Sequence, residues 1–156
     1  LAVSSAATPV RAQARALLAR QPAGAADDLL TVLDAEDRDQ WVPVIREEMV
    51  RAVELTSAQR CAVVSVVLDG ALARPGVSSD LVESLLQVVI EAPPQTYEPL
   101  VSAVVAACAG RSEPETQRLR AVIGSAMARF ALPQWQRLAA SLNAAARAAG
   151  QPVTWT

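Results

Sequence analysis

The side chains of this chain that could do chemistry are few, because histidine is absent from all 156 residues. Without an imidazole, neither a Ser–His–Asp triad nor a Cys–His nucleophile pair can form. The two cysteines, Cys61 and Cys108, lie inside apolar runs, a position typical of inert, buried thiols. We therefore expect no cysteine nucleophile, and the sequence leaves open whether these two thiols form a disulfide.

Carboxylates offer the remaining chemistry. Segment 34–39, DAEDRD, alternates acids but lacks the central glycine and terminal glutamate of a calcium-binding loop. Glu47 and Glu48 lie near Arg51, and helical spacing lets Glu47 pair with Arg51 as a solvated ion pair. An acid/base role would require burial to shift a pKa, and nothing adjacent in the sequence supplies it. Phosphate- and dinucleotide-binding fingerprints are also missing, so we predict no catalytic residue, cofactor or metal site.

Charge is unevenly distributed along the chain, although the formal net charge is only −2. Segment 27–54 carries nine acids and three arginines, whereas 1–26 and 111–156 are net positive. The small total argues against a dedicated nucleic-acid binder, which usually carries a strongly basic domain. Two interpretations of the acidic segment remain: charge pairing between packed helices, or a polar surface for a protein partner.

A partner surface would fall on the large or charged side chains of these segments. Tryptophan and arginine are enriched at binding hot spots, so Trp41, in a polar and acidic stretch, would anchor a partner if it is exposed. We expect Trp135 to lie in the core, and the role of Trp155 is open. The candidate partner-binding residues are Trp41, Arg11, Arg15, Glu47, Glu48 and Arg51.

Helices are predicted to position these residues. Hydrophobic residues make up 52% of the chain and aromatic residues 3%, with a mean hydropathy of +0.24, which excludes a disordered chain and predicts a core of Ala, Val and Leu. Ten prolines and six glycines separate segments of helix length. The predicted helices cover 9–21, 25–33, 57–73, 79–92 and 96–109, with others starting near 43, 113 and 133, and Asp34 capping a further turn to Trp41.

Two of these helices, 57–73 and 96–109, are apolar around almost their whole circumference and are expected to be buried all round. The valines of 57–73 also favour a strand, but the length of the run favours a helix. The most apolar stretch, 100–109, has about half the length of a membrane span, so no span is expected.

The sequence thus predicts an all-α fold of seven or eight short antiparallel helices. We expect a single helical domain over 1–156, in which the helices of 1–34 form a looser subregion. Successive helix hairpins recur roughly every 35–40 residues, within the range of helical solenoids. A HEAT/armadillo-like superhelix and an irregular helical bundle both remain open.

One segment resembles a known family. Residues 130–142, FALPQWQRLAASL, place a leucine three residues before a tryptophan, followed by apolar helix positions. This resembles one unit of the SKWP-type helical repeats found in large type III secretion effectors of plant-pathogenic bacteria, except that Gln136 replaces the proline after the tryptophan. The resemblance implies a helical-repeat, effector context and carries over no site residues. The use of arginine as the sole basic residue, with abundant alanine, is typical of GC-rich bacterial genomes.

These features favour a non-catalytic helical module, possessing no cofactor, that binds another protein. Its oligomeric state is open, and it would act in the bacterial cytoplasm or, as a delivered effector, in a host cytosol. One alternative is an effector enzyme or enzyme-assisting domain that promotes transfer chemistry on a host protein without His or Cys. Another is a carrier of an apolar ligand, since two helices apolar all round could enclose a cavity.

Overall fold

The computed structural model describes residues 26–151 and Trp155, with side chains from Leu29 onward. This part of the chain forms seven α-helices and one short 3-10 helix and contains no strand, which confirms the all-α prediction. In chain order, the helices are α1 (Ala26–Ala35), the 3-10 helix (Arg38–Gln40), α2 (Trp41–Val53), α3 (Ser57–Ala73), α4 (Ser78–Glu91), α5 (Pro94–Cys108), α6 (Glu113–Met127) and α7 (Leu132–Ala148). The predicted helix 9–21 lies outside the described residues.

Prolines explain where two helix starts differ from prediction. Helix α2 begins at Trp41 rather than at Pro43. The backbone N–H groups of the first helical turn have no partner inside the helix, so a proline, which has no N–H, is tolerated there. Helix α5 begins at Pro94 rather than Thr96 for the same reason. Asp34 does not cap a further turn, since α1 continues past it and ends at Ala35.

The helices pack in two layers. Each helix packs mainly against the helix two positions away, so α1, α3, α5 and α7 form one layer and α2, α4 and α6 form the other. The core lies between the layers and is built mostly from aliphatic side chains and alanine, as the composition predicts. No helix in the described part of the chain is both long and apolar enough to cross a membrane.

The prediction that α3 and α5 are buried all round is wrong. On α3, Ala62 and Asp69 are exposed. On α5, Glu98, Ser102 and Ala106 are exposed and form a stripe at intervals of four residues. Alanine fits either a core or a surface, so counting alanines such as Ala62 as core positions overstated the buried face.

A polar link recurs along the layer of odd-numbered helices. Just beyond α3, Arg74 Nη2 donates to Asp34 Oδ2 of α1 at 2.7 Å. Just beyond α5, Arg111 Nη1 donates to Asp69 Oδ1 of α3 at 2.6 Å. Beyond α7, Gln151 Nε2 donates to the carbonyl oxygen of Val105 on α5 at 3.2 Å. Each odd-numbered helix after the first is therefore connected at its C-terminal end to the preceding odd-numbered helix.

Trp155 lies buried against the last two helices, which settles its place in the fold. The Asn143 side-chain amide on α7 donates to the Trp155 carbonyl at 2.8 Å and accepts from the Trp155 backbone N–H. The guanidinium of Arg120 on α6 lies 5.9 Å from the centroid of the Trp155 ring. The Trp155 indole N–H is buried and has no hydrogen-bond acceptor. Trp135, expected in the core, is half-buried and packs against it.

Candidate functional site

Helix α2 carries four of the six predicted partner-binding residues, whereas Arg11 and Arg15 lie outside the described residues. The side chain of Trp41 is only 8% exposed, and its indole N–H donates to the carbonyl oxygen of Leu33 at 2.9 Å. Trp41 could anchor a partner only if it were exposed, and it is buried. Trp41 instead connects the start of α2 to the last turn of α1.

The predicted pairing of Glu47 with Arg51 is wrong, because Arg51 pairs with Glu48. Arg51 Nη1 lies 3.2 Å from Glu48 Oε2, and Glu48 is 1% exposed. The expectation that nothing buries these carboxylates is thus also wrong for Glu48. A carboxylate is retained in the interior when a cation and hydrogen bonds compensate its lost hydration, as Arg51 does here. Glu47, the preceding residue of α2, is exposed.

The outer side of α2 forms one wall of a groove, here called the α2–α4 groove. Helix α4 forms the other wall, and the start of α5 closes one end. The groove has a volume of about 350 Å³, near the lower limit of ligand-sized clefts. Its lining residues are Arg46, Met49, Val50, Val53, Glu54, Val88, Glu91, Ala92, Pro93, Gln95, Thr96 and Leu100.

Val50 is the exceptional residue of this groove. Its side chain is 62% exposed, and only one other large hydrophobic side chain in the described residues, Leu132, is similarly exposed. Around Val50, the buried side chains of Met49 and Leu100 and the half-buried Val53 continue the apolar surface inward. An exposed apolar side chain that continues into an apolar cleft is typical of a contact surface.

Charged side chains surround the apolar part. Arg46 on α2 pairs with Glu91 on α4, and Glu91 also accepts a hydrogen bond from Gln87 at 2.6 Å. Glu54 lines the groove, and Glu47 lies just outside the lining, one turn before Val50 on α2. Both are exposed, and neither has an ion-pair partner among the residues that the structure describes. The groove therefore combines an aliphatic interior with a rim in which carboxylates outnumber guanidinium groups.

Two further grooves lie on the outer surface of α3, α5 and α7. Their volumes are about 550 and 380 Å³, and both include Glu98, Ser102 and Ala145 in their lining. Most of the other lining residues are alanine or serine. Neither groove includes an exposed large hydrophobic side chain, and so we place the candidate site at the α2–α4 groove.

The thiols are free rather than linked by a disulfide, which answers the question that the sequence left open. Burial raises the pKa of Cys108 to about 11, although nearby Arg111 partly opposes this effect. A thiol with so high a pKa is almost wholly protonated at neutral pH and is a poor nucleophile. Among the described residues, no group of three or more Cys, Asp or Glu side chains is arranged to hold a metal ion.

Charge pairing between packed helices involves one acid and two arginines of segment 27–54. Asp34 pairs with Arg74 on α3's C-terminal side, Arg38 pairs with Asp80 on α4, and Arg46 pairs with Glu91. The first interpretation of the acidic segment thus holds for these pairs. On α2, Glu47 and Glu54 remain exposed and are available to a partner.

Sequence reasoning missed Val50, Glu54 and Glu91. The available signal was the spacing of Glu47, Val50 and Glu54, which differ by three and four positions and therefore share one face of α2. Glu91 could not be assigned in this way, since its place depends on how α4 packs beside α2. Comparisons of the chain with protein-family models, curated proteins and solved structures found no match.

Proposed function

We propose that this domain is a non-catalytic helical module that binds another protein through the α2–α4 groove. The observation that carries the proposal is the 62% exposure of Val50 at the wall of an apolar cleft. Leaving most of such a side chain in water forgoes a large part of the roughly 1.5–3 kcal/mol that full burial of a valine contributes. A partner that covers Val50 and the cleft would gain this free energy.

We also propose that the two layers belong to a solenoid of helical pairs, similar to HEAT or armadillo arrays. The support is the recurrence of one contact: Arg74 with Asp34, and Arg111 with Asp69, join successive odd-numbered helices at the same end. Stacked repeats contact mainly their neighbours, and their extended surfaces serve as binding surfaces. The resemblance of 130–142 to effector repeats supports a place in a bacterial effector as part of this proposal.

The two alternatives stay predictions. An effector enzyme without His or Cys would need carboxylates and arginines that converge on a pocket, and Arg46 and Glu91 at the groove instead pair with each other. A carrier of apolar ligands would need an enclosed apolar cavity, whereas the α2–α4 groove has charged side chains in its lining. Protein binding is the function that the groove favours.

The test is affinity capture from a lysate of the cells that produce the protein, with two matched variants. Val50→Asp places a charge in the groove, while Leu132→Asp places one at the other exposed hydrophobic side chain, at the start of α7 and outside the groove. We expect a stoichiometric partner to be retained by the wild type and by Leu132→Asp and lost with Val50→Asp. A partner retained equally by both variants, or no stoichiometric partner at all, would contradict the proposal.

A further inference from the structure

The chemistry of the partner can be inferred from the rim of the α2–α4 groove, if the proposed function holds. Glu47, Val50 and Glu54 lie on one face of α2, with the valine between the two carboxylates. Seven residues of helix rise by about 10 Å, so the two carboxylates are separated by roughly that distance along the helix axis. Neither carboxylate has an ion-pair partner within the described part of the chain.

The position of Glu54 adds a second observation. Glu54 is the C-cap of α2, where the unsatisfied carbonyl groups carry partial negative charge and a cation is favoured over an acid. Arg60 compensates in part, since its Nη1 donates to the carbonyl oxygens of Val53 at 3.1 Å and Leu55 at 2.5 Å. The Glu54 carboxylate adds negative charge to this end of the helix, and a cation from outside would relieve the repulsion.

A parallel arrangement occurs on the other wall of the groove. Glu91 is the last residue of α4, so it also adds a carboxylate to a helix C-terminus. Within this chain, Arg46 supplies the cation that Glu91 needs, and it does so from α2. Of the two acids at helix ends in this groove, Glu91 has an ion-pair partner, and that partner is an arginine. A guanidinium or ammonium group from a partner would suit Glu54 in the same way.

We infer that the α2–α4 groove takes a basic, amphipathic segment of a protein partner. One aliphatic side chain of the segment covers Val50, and two arginine or lysine side chains on either side of it reach Glu47 and Glu54. In a helical segment, cations at positions i and i+7 with the aliphatic residue at i+3 or i+4 would match the spacing on α2. Electrostatic complementarity of this kind mainly gives specificity and speeds association.

The test uses selection from a random peptide library displayed on phage, with the wild-type domain as bait, followed by affinity measurements on the enriched peptides. We expect enriched peptides with an aliphatic residue flanked by Arg or Lys. Their affinity should fall by about tenfold or more between ~50 and ~500 mM NaCl, because salt screens exposed charges. The double variant Glu47→Gln/Glu54→Gln should weaken binding by about tenfold, since exposed charge pairs give modest energies.

The matched control is Glu98→Gln, which neutralises another exposed carboxylate, on α5 and away from the groove. It should leave the affinity unchanged. The inference would be overturned by enriched peptides that lack basic residues, or by peptides that bind Glu47→Gln/Glu54→Gln as tightly as the wild type. In that case, a loss of binding with Val50→Asp would still support the groove as the binding site. The proposed function itself would be overturned if the enriched peptides bound Val50→Asp as tightly as the wild type, or if no peptide were enriched.

A second copy of this chain is another occupant to distinguish. Sedimentation equilibrium of the wild type and of Val50→Asp provides this measurement. A monomeric wild type agrees with the inference. A dimer that becomes monomeric with Val50→Asp would show that the groove binds the chain itself, and would overturn the assignment of a basic partner segment.

Discussion

Arg111 bridges two helices in the same way that Arg74 does. Arg111 Nη1 reaches Asp69 at 2.6 Å while its Nε donates to the carbonyl oxygen of Ala107, four residues earlier. Arg74 likewise reaches Asp34 while its Nη1 donates to the carbonyl oxygen of Gly70, four residues earlier. Each guanidinium thus satisfies a carbonyl near the end of its own helix and a carboxylate on the preceding helix of its layer.

This geometry predicts unequal effects of substituting the two partners. Asp69 is largely exposed, so Asp69→Asn should lower the free energy of unfolding by at most about 1 kcal/mol. Arg111 is only 12% exposed and also holds a carbonyl, so Arg111→Ala should cost about 1–3 kcal/mol. Urea denaturation of the two variants checks the order, and a loss for Asp69→Asn as large as that for Arg111→Ala would contradict it.

Two helical glycines provide a matched pair. A Cβ at Gly124 in α6 would have open space, so Gly124→Ala should raise the free energy of unfolding by about 0.5–1 kcal/mol through helix propensity. A Cβ at Gly70 in α3 would lie 2.6 Å from Leu30 Cδ2, so the Leu30 side chain must move. Gly70→Ala should therefore gain less or destabilise the fold. Thermal unfolding of both variants tests this, and equal stabilisation would show that α1 and α3 are packed less closely.

The two buried indoles predict another contrast. The N–H of Trp41 donates to Leu33, whereas that of Trp155 has no acceptor. Substitution by phenylalanine at position 41 should remove one of the two hydrogen bonds to the Leu33 carbonyl, which keeps the bond from the backbone N–H of Glu36, and should cost about 0.5–1.5 kcal/mol more than the loss of ring area. Trp155→Phe also removes ring area but takes away a donor that has no acceptor, so it should cost less. Equal losses of unfolding free energy in the two variants would contradict this assignment.

The raised pKa of Cys108 predicts a pH dependence at high pH. The native state holds the thiol proton to a pKa of about 11, whereas the unfolded chain loses it near 9.0, its ordinary value. Stability from this group is therefore complete below about pH 9 and is lost as pH rises towards 11. The loss approaches about 2–3 kcal/mol for a shift of this size.

Urea midpoints at several pH values above 8, for the wild type and Cys108→Ala, isolate this contribution. The wild type should lose stability with rising pH more steeply than the variant, in which the thiol is absent. Parallel pH profiles would show that Cys108 ionises as readily in the folded protein as in the unfolded one.

Much of the fold was predictable because helix starts and stops are encoded locally. Thr56 accepts a hydrogen bond from the backbone N–H of Gln59, and Ser112 does the same for Glu115; threonine and serine are preferred at the N-cap because their short side chains reach these N–H groups. The buried line of Leu81 and Leu85 on α4 also follows from helical spacing.

The site was less predictable, because it depends on which side of a helix its neighbours cover. Adjacent glutamates look equivalent in sequence, yet Glu48 is buried with Arg51 and Glu47 is exposed. Trp41 lies in a polar stretch, but the carbonyl of Leu33 and the packing of α1 bury it. Val50 lines a groove only because α4 packs beside α2, and the sequence of α2 alone does not indicate this packing.

The most direct test of protein binding through the α2–α4 groove is to map the contact on the domain itself. A valine-methyl-labelled sample would be titrated with an enriched peptide or with the captured partner, and shifts of the NMR methyl signals recorded. We predict the largest shifts at Val50, Val53 and Val88, which line the groove. Shifts confined to Val101 and Val105, which line the grooves along α5, would contradict the account.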